Sequence, residues 1–186
     1  ESTEETLRET RWQQPAVFAL DVAIGRLLMA GGLKPVAMAG HSLGQFAALC
    51  VADAFSFADG CKIVNQRALC MEKAARLAKD PGAMLAVHAA REVVDPYLKS
   101  HRGVFLLNNN SPRQTVVGGD TSQSLLLADA LAAAGIRATR LPVSMAFHAP
   151  GLQSVADEFA ATLADVKFSA PLVPVLSNHQ GGVIPA

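Results

Sequence analysis

The sequence predicts an α/β protein in which a parallel sheet is interrupted by a small inserted subdomain. At residues 36–52 an apolar strand leads into a Gly-x-Ser-x-Gly turn and then into a helix. Short apolar segments bounded by proline or glycine lie on both sides of the chain centre, as in strands buried on both faces. Between them, residues 82–143 show a β-α-β-β-α-β order, the ferredoxin-like pattern.

The composition favours one sizeable core with a small appendage. The chain has 186 residues, of which 51% are hydrophobic, and its 16 basic residues balance 16 acidic ones. A neutral chain gives no electrostatic reason to bind nucleic acid or an anionic membrane. The polar start, the three unpaired cysteines and the lack of a long apolar stretch predict a cytoplasmic protein.

The helices and strands outside the insert are predicted from apolar segments and from the residues that begin or end them. Pro15 is placed to start a helix that runs to Met29 and, being apolar nearly all round, should be buried. A strand at 36–39 precedes the turn, and a helix from Ser42 to about residue 52 follows it. A capping box at 56–59 opens a long helix that ends near residue 78.

The insert and the C-terminal part are assigned in the same way. We predict strands at 83–88, 104–109, 114–118 and 136–143, helices at 91–100 and 122–134, a turn at 110–112, then a helix at 152–163 and a strand at 172–177. The chain is therefore divided into a large α/β subdomain, 1–81 with 144–186, and a ferredoxin-like subdomain, 82–143.

The pentapeptide GHSLG at 40–44 is the first candidate for chemistry. A strand, this turn and a helix form a nucleophile elbow, which is typical of an α/β-hydrolase-like core and exposes the Ser42 hydroxyl. The backbone N–H of Leu43 is the natural donor to an oxyanion. The alternative is a small turn with no chemistry.

A serine nucleophile needs a base, and His148 is the best placed histidine. It follows a strand-like apolar run and opens a loop before a helix, where catalytic groups of α/β folds gather. The alternative is a satisfied buried histidine. His41 adjoins Ser42 and should point away from it, whereas His88 and His101 are more typical of packing or surface histidines.

Arg67 bears on the kind of substrate. It lies three residues after Val64 and four before Met71, beside the apolar stripe of its helix. A guanidinium that is buried must be paired. Its partner is either an internal carboxylate in a salt bridge or the carboxylate of a substrate.

These motifs together resemble a known family. GHSLG, the arginine in NQRALCM, the inserted subdomain, MAFHAP and the strand end LSN resemble, in this order, the malonyl-CoA:acyl carrier protein transacylases. The acyltransferase domains of polyketide synthases are the most similar group. The resemblance runs from about Arg11 to Gly182.

The resemblance implies a role for each motif. Ser42 would be the nucleophile, His148 the base and Arg67 the clamp for the malonyl carboxylate. Asn178 would orient the histidine through its backbone carbonyl. Gln14, together with His41, Met145 and Phe147, would belong to the substrate-binding set. Leu43 and the bulky Phe147 favour malonyl over methylmalonyl, although Met145 fits neither pattern.

The same resemblance defines substrates and partners. It implies no bound cofactor and no metal, malonyl-CoA as substrate, and an acyl carrier protein that brings its own phosphopantetheine arm. The domain would be either freestanding or flanked by further synthase domains in the same polypeptide. The sequence departs from the family at Gln45, where glutamate is usual, and lacks the N-terminal Gly-Gln-Gly strand and C-terminal helices, so we expect a partial domain. A thioesterase or acyl hydrolase, and a catalytically silent docking domain, remain alternatives.

Overall fold

The structure is a computed structural model that describes residues 6–7, 9–143, 145–147, 150–179 and 181–185. Its contacts divide the chain into two compact units. The large unit comprises Glu1–Glu72 and Ala156–Ala186, and the small unit comprises Lys73–Val155.

The helices of the large unit are α1 Thr10–Ala30, α2 Gly44–Val51, α3 Phe57–Leu77 (which continues into the small unit) and α6 Ala156–Ala164. The small unit contains β1 Ala83–Val87, α4 Arg91–Ser100, β2 Val104–Ser111, β3 Gln114–Gly119, α5 Thr121–Ala133, β4 Ala138–Arg140 and a 3₁₀ helix Pro150–Val155. Along the described part of the chain, none of the helices combines the length and apolar character that a bilayer span needs.

Helix α1 departs from its prediction in two respects. It begins at Thr10, so Pro15 lies inside the helix rather than at its start. Pro15 is the sixth residue of this helix; it fits the helical φ, but it has no N–H to donate to the carbonyl four residues earlier. Phe18 and Val22 are buried, whereas Leu20 and Leu27 are 60% and 72% exposed. The prediction of a helix buried all round is therefore wrong for the described structure, which buries one face.

The parallel pairing of the large unit is present but short. The segments predicted as strands at 36–39 and 172–177 meet in a parallel bridge between Met38 and Val175. The Met38 N–H donates to the Pro174 carbonyl at 2.8 Å, and the Leu176 N–H donates to the Met38 carbonyl at 2.9 Å. A core formed by α1, α2 and α3 contains Phe18, Val22, Cys50, Ile63 and Val64.

The predicted cap of α3 is confirmed. The Ser56 hydroxyl accepts the Asp59 N–H at 3.0 Å and donates to the Asp59 carboxylate at 2.7 Å. These bonds satisfy one otherwise orphaned N–H at the start of the long helix that carries Arg67.

The small unit has the ferredoxin-like arrangement that the sequence predicts. Its antiparallel sheet has the strand order β2-β3-β1-β4. The central strand β1 is buried at every position, because apolar groups cover both of its faces. One face belongs to a core of Leu85, Val87, Val94, Val104, Val117, Leu127 and Leu131, and the other contributes Met84 to a cluster with Val116 and Ala146.

Several boundaries differ from those predicted. The compact small unit covers 73–155 and so extends beyond the predicted 82–143 at both ends; the Ala146 N–H, for example, donates to the Pro81 carbonyl at 2.8 Å, a bond between two residues that flank the predicted subdomain. The hairpin turns at Pro112–Arg113, one to two residues later than the centre of the predicted turn. The predicted helix at 152–163 begins as the 3₁₀ helix and becomes α-helical at Ala156.

Candidate active site

The turn at Gly40–Gly44 places Ser42 in an unusual backbone conformation. Ser42 has φ 51°, in the left-handed region that few residues other than glycine adopt. A Cβ at position 40 would lie 2.0 Å from the Gly44 carbonyl, so the close approach of the two ends of the turn requires glycine there. The parallel bridge at Met38 precedes the turn and α2 begins at Gly44, as in a nucleophile elbow.

The first turn after Ser42 leaves one backbone donor for an oxyanion. The N–H groups of Gly44, Gln45 and Phe46 donate to the carbonyls three residues earlier, at 2.9, 3.2 and 3.0 Å. The Leu43 N–H donates to no acceptor among the residues that the structure describes. This donor belongs to the residue that follows Ser42, the position from which a backbone N–H can bind the negative charge that develops when a serine attacks a carbonyl.

Arg67 reaches the same hydroxyl from helix α3. Its Nη2 donates to Ser42 Oγ at 3.0 Å, and its Nη1 donates to Gln14 Oε1. Gln14 is only 6% exposed, and its Nε2 donates to the sulfur of Met71 at 3.1 Å. The Arg67 Cζ also lies 5.9 Å from the centroid of the Phe46 ring. The guanidinium is therefore oriented by neutral groups.

The charge of Arg67 is not neutralised within the described structure. No carboxylate contacts it in the described ranges, so the internal salt bridge that the sequence left open is not observed there. Burial lowers the pKa of Arg67 from its usual value to about 10. A desolvated cation without an anionic partner favours binding of an anion.

Asn178 contacts the nucleophile turn through its side chain. Its Oδ1 accepts the Ser42 N–H at 3.2 Å, and its Nδ2 donates to the Gly40 carbonyl. Gln45 Oε1 accepts both the N–H and the Nδ2 of Asn178, at 2.7 and 2.8 Å. Sequence reasoning considered only the backbone carbonyl of Asn178 and missed this contact. The one available signal was the glutamine at position 45, where the family usually has glutamate.

The remaining predicted residues lie as follows. His41 is exposed, and its carbonyl accepts the Gly44 N–H. Met145 is buried in the small unit, where Phe147 packs against the cluster of Met84, Val116 and Ala146. His148, the predicted base, lies outside the described residues. The structure thus brings together Ser42, Leu43, Arg67, Gln14 and Asn178, whose roles stay predictions.

No group of three or more His, Cys, Asp or Glu side chains in the part of the chain that is described could hold a metal ion.

Comparisons with known proteins identify the family of the chain. The sequence profile of the acyl transferase domain matches residues 1–181. Polyketide synthase GfsB of Streptomyces halstedii is 37% identical over 182 residues, which are 97% of this chain and 3% of that protein. The acyltransferase domain from the second module of the salinomycin polyketide synthase superposes with a TM-score of 0.90 at 36% identity, over 100% of this chain and 43% of that one.

A third relative is a malonyl-transacylase solved in complex with the acyl carrier protein of a type II polyketide synthase. It has a TM-score of 0.91 and 34% identity, and the match covers 98% of this chain and 60% of that chain. The chain therefore spans only part of each of these relatives. The sequence profile and these relatives show that the chain belongs to the acyl transferase domain family.

Proposed function

We propose that this acyltransferase domain moves a malonyl group, or a related carboxylated extender unit, from CoA to the phosphopantetheine thiol of an acyl carrier protein. The acyl group would be held between the two steps as an ester of Ser42. The observation that carries the proposal is the buried Arg67 guanidinium, 3.0 Å from Ser42 Oγ and without a carboxylate partner among the described residues.

The position of Arg67 supports a dicarboxylic acyl donor. A malonyl thioester has its free carboxylate one methylene group away from the carbonyl that reacts. A cation that contacts the nucleophile itself can therefore bind that carboxylate while the carbonyl approaches Ser42 Oγ. The planar guanidinium can form two parallel hydrogen bonds to a carboxylate. An enzyme for simple fatty acyl groups has no use for this charge.

The first half-reaction transfers the acyl group to the protein. Ser42 Oγ attacks the thioester carbonyl while a base takes its proton, a role that the family resemblance gives to His148. The Leu43 N–H is available to the oxyanion in the tetrahedral intermediate. When the intermediate collapses, the C–S bond breaks and the proton passes to the sulfur of CoA.

The second half-reaction reverses this order with a different thiol. The phosphopantetheine thiol of the carrier protein loses its proton to the base and attacks the Ser42 ester, and the serine recovers its proton as the C–O bond breaks. The solved complex of a related malonyl-transacylase with its carrier protein supports this choice of acceptor. The partner brings the phosphopantetheine, so the domain needs no cofactor of its own.

The decisive variant is Arg67→Ala in the full-length protein. We expect kcat/KM for malonyl-CoA to fall roughly 30-fold to several thousand-fold, because one partner of a buried charged pair is lost. This corresponds to a loss of about 2–5 kcal/mol of transition-state stabilisation. Transfer from acetyl-CoA, which has no carboxylate, should fall much less or rise. Arg91→Ala, which removes an exposed arginine paired with Asp95, is the matched control. An equal loss with both donors would mean that Arg67 has only a structural role.

Intact mass spectrometry separates transfer from its alternatives. A transferase incubated with malonyl-CoA and no carrier protein should accumulate malonyl-Ser42 for minutes, whereas a hydrolase would release free malonate. Failure of Ser42 to acylate in the full-length protein would instead indicate a silent docking domain.

A further inference from the structure

We propose that Gln45 is a positioning residue for the nucleophile. By this account Gln45 fixes the side chain of Asn178, and Asn178 in turn holds the Ser42 turn in its left-handed conformation. The inference rests on the proposed function, because it concerns how Ser42 is presented to the acyl donor.

The contacts of Asn178 require an amide at that position. Its side chain accepts from the Ser42 N–H on one side and donates to the Gly40 carbonyl on the other. Both partners are backbone groups, so one must find an acceptor and the other a donor. A carboxylate at position 178 could not donate to Gly40, and an apolar side chain could do neither. The two ends of the turn are thereby linked through a single side chain.

Gln45 supplies the orientation that Asn178 needs. Its Oε1 receives two hydrogen bonds from Asn178, one from the backbone N–H and one from Nδ2. Its own backbone N–H donates to the Ser42 carbonyl at 3.2 Å. Because Asn178 is exposed, each of these bonds competes with water, and their effect on the turn depends on their acting together.

The chemistry of Gln45 also explains which replacement the site can accept. Only the oxygen of its side chain is used, because Nε2 has no hydrogen-bond partner in the described ranges. A glutamate, the residue usual in the family, would provide the same acceptor. An alanine would provide none, and Asn178 would then be free to rotate away from the turn.

Loss of these hydrogen bonds would change the geometry of Ser42. A residue other than glycine at φ 51° is strained and persists only when its surroundings hold it. If the turn relaxes, Oγ moves away from the Arg67 Nη2 atom that lies 3.0 Å from it. A displacement of about 1 Å at a nucleophile can cost on the order of 100-fold in rate.

The test measures single-turnover acylation of Ser42 by malonyl-CoA in the full-length protein. For Gln45→Ala and Asn178→Asp we expect the acylation rate constant to fall about 10- to 100-fold, with little change in the malonyl-CoA concentration for half-saturation. Gln45→Glu should retain the rate within roughly threefold, since the acceptor is kept. Gln13→Ala, an exposed glutamine on α1, is the matched control.

A role limited to folding predicts a different pattern. Thermal unfolding of each variant checks that it is folded, and rescue by glutamate together with a loss confined to the rate constant is not expected of general destabilisation. A wild-type rate in Gln45→Ala, or a loss as large in Gln45→Glu as in Gln45→Ala, would overturn the proposal.

A fluorophosphonate probe, which reacts with an activated serine and needs no acyl-CoA site, separates this inference from the proposed function. If the wild-type protein reacts with the probe but not with malonyl-CoA, the proposed function fails, and the probe's rates in the same variants still test the positioning of Ser42. Equal probe rates in Gln45→Ala and wild type would refute the positioning role.

Discussion

The small unit is stabilised by an apolar core beneath a regular sheet, whereas the large unit places a cation and a strained serine beside each other. Leu85, Val117 and Leu127 of the small unit are almost fully buried among other apolar side chains. In the large unit, Arg67 is buried against neutral partners and Ser42 has a positive φ. The first arrangement lowers the free energy of the fold, and the second raises it.

This difference indicates how substitutions in each unit should change its stability. A core built from many equivalent apolar contacts loses stability when any one of them is truncated. A site that stores strain, and whose cation has no carboxylate partner among the described residues, can gain stability when its functional groups are removed, because these groups serve binding and catalysis. Truncation of an apolar side chain in the core of the small unit and removal of the Arg67 charge in the large unit should therefore have effects of opposite sign on stability.

The largest expected effect is that of Leu127→Ala in the small unit. Leu127 is fully buried, so the variant loses its transfer free energy and leaves a cavity, and the unfolding free energy of the small unit should fall by about 2–5 kcal/mol. Hydrogen exchange resolved by segment, measured together with urea unfolding, reports this loss for β1, β3 and α5.

The neighbouring leucine is the control for this substitution. Leu126 is 53% exposed on the same helix, and Leu126→Ala should change stability by less than about 0.5 kcal/mol. Similar losses in the two variants would show that the packing of α5 on the sheet differs from that described here.

The contrast between the two units also explains which features could be predicted from the sequence. Helix α4 was predicted within its observed bounds, and the β-α-β-β-α-β order is confirmed, because these elements depend on local periodicity and on nearby glycine and proline. The start of α1 was wrong because Pro15 is the sixth residue of the helix, beyond the first turn in which proline is best tolerated, although its fixed φ is compatible with a helix.

The site was predicted where a helix positions a side chain and missed where the contact is long-range. That Arg67 projects beside the apolar stripe of α3 followed from helical spacing, and its proximity to the nucleophile followed from the family resemblance. The bonds between Gln45 and Asn178 join residues 133 positions apart, and no local pattern specifies which polar groups meet across such a distance. The exposed face of α1 could not be distinguished from a buried one, because both are apolar.

A smaller effect of opposite sign is expected for Arg67→Met. The folded state lowers the pKa of this cation to about 10, so keeping it charged costs stability at every pH below that value. Methionine has a similar length and no charge, and we expect the unfolding free energy at pH 7 to rise by about 1 kcal/mol. Urea unfolding without substrate measures the change.

Arg91→Met, at an exposed position, should leave stability within about 0.5 kcal/mol of wild type. If Arg67→Met were instead destabilised by about 2 kcal/mol or more, the guanidinium would be a structural link between α3 and Gln14, and the contrast between the two units would fail.

The smallest expected effect is on the stability of the small unit at low pH, to which the hydrogen-bonded carboxylate of Asp80 contributes. Hydrogen bonds from the Thr121 hydroxyl, the Thr121 N–H and the Gly82 N–H hold the pKa of Asp80 below its usual value. A carboxyl whose pKa is lowered by folding stabilises the protein above its unfolded pKa, about 4, and that contribution is lost as the pH falls through the folded value. We therefore expect the urea midpoint of the small unit to decrease as the pH is lowered below about 4, and this decrease to be smaller in Asp80→Asn.

Asp129→Asn, at an exposed site on α5, is the matched control for this substitution. An unchanged fall in Asp80→Asn would mean that the acid sensitivity of the small unit arises from other carboxyls, such as Asp120, whose own pKa is lowered chiefly by the Gln123 N–H.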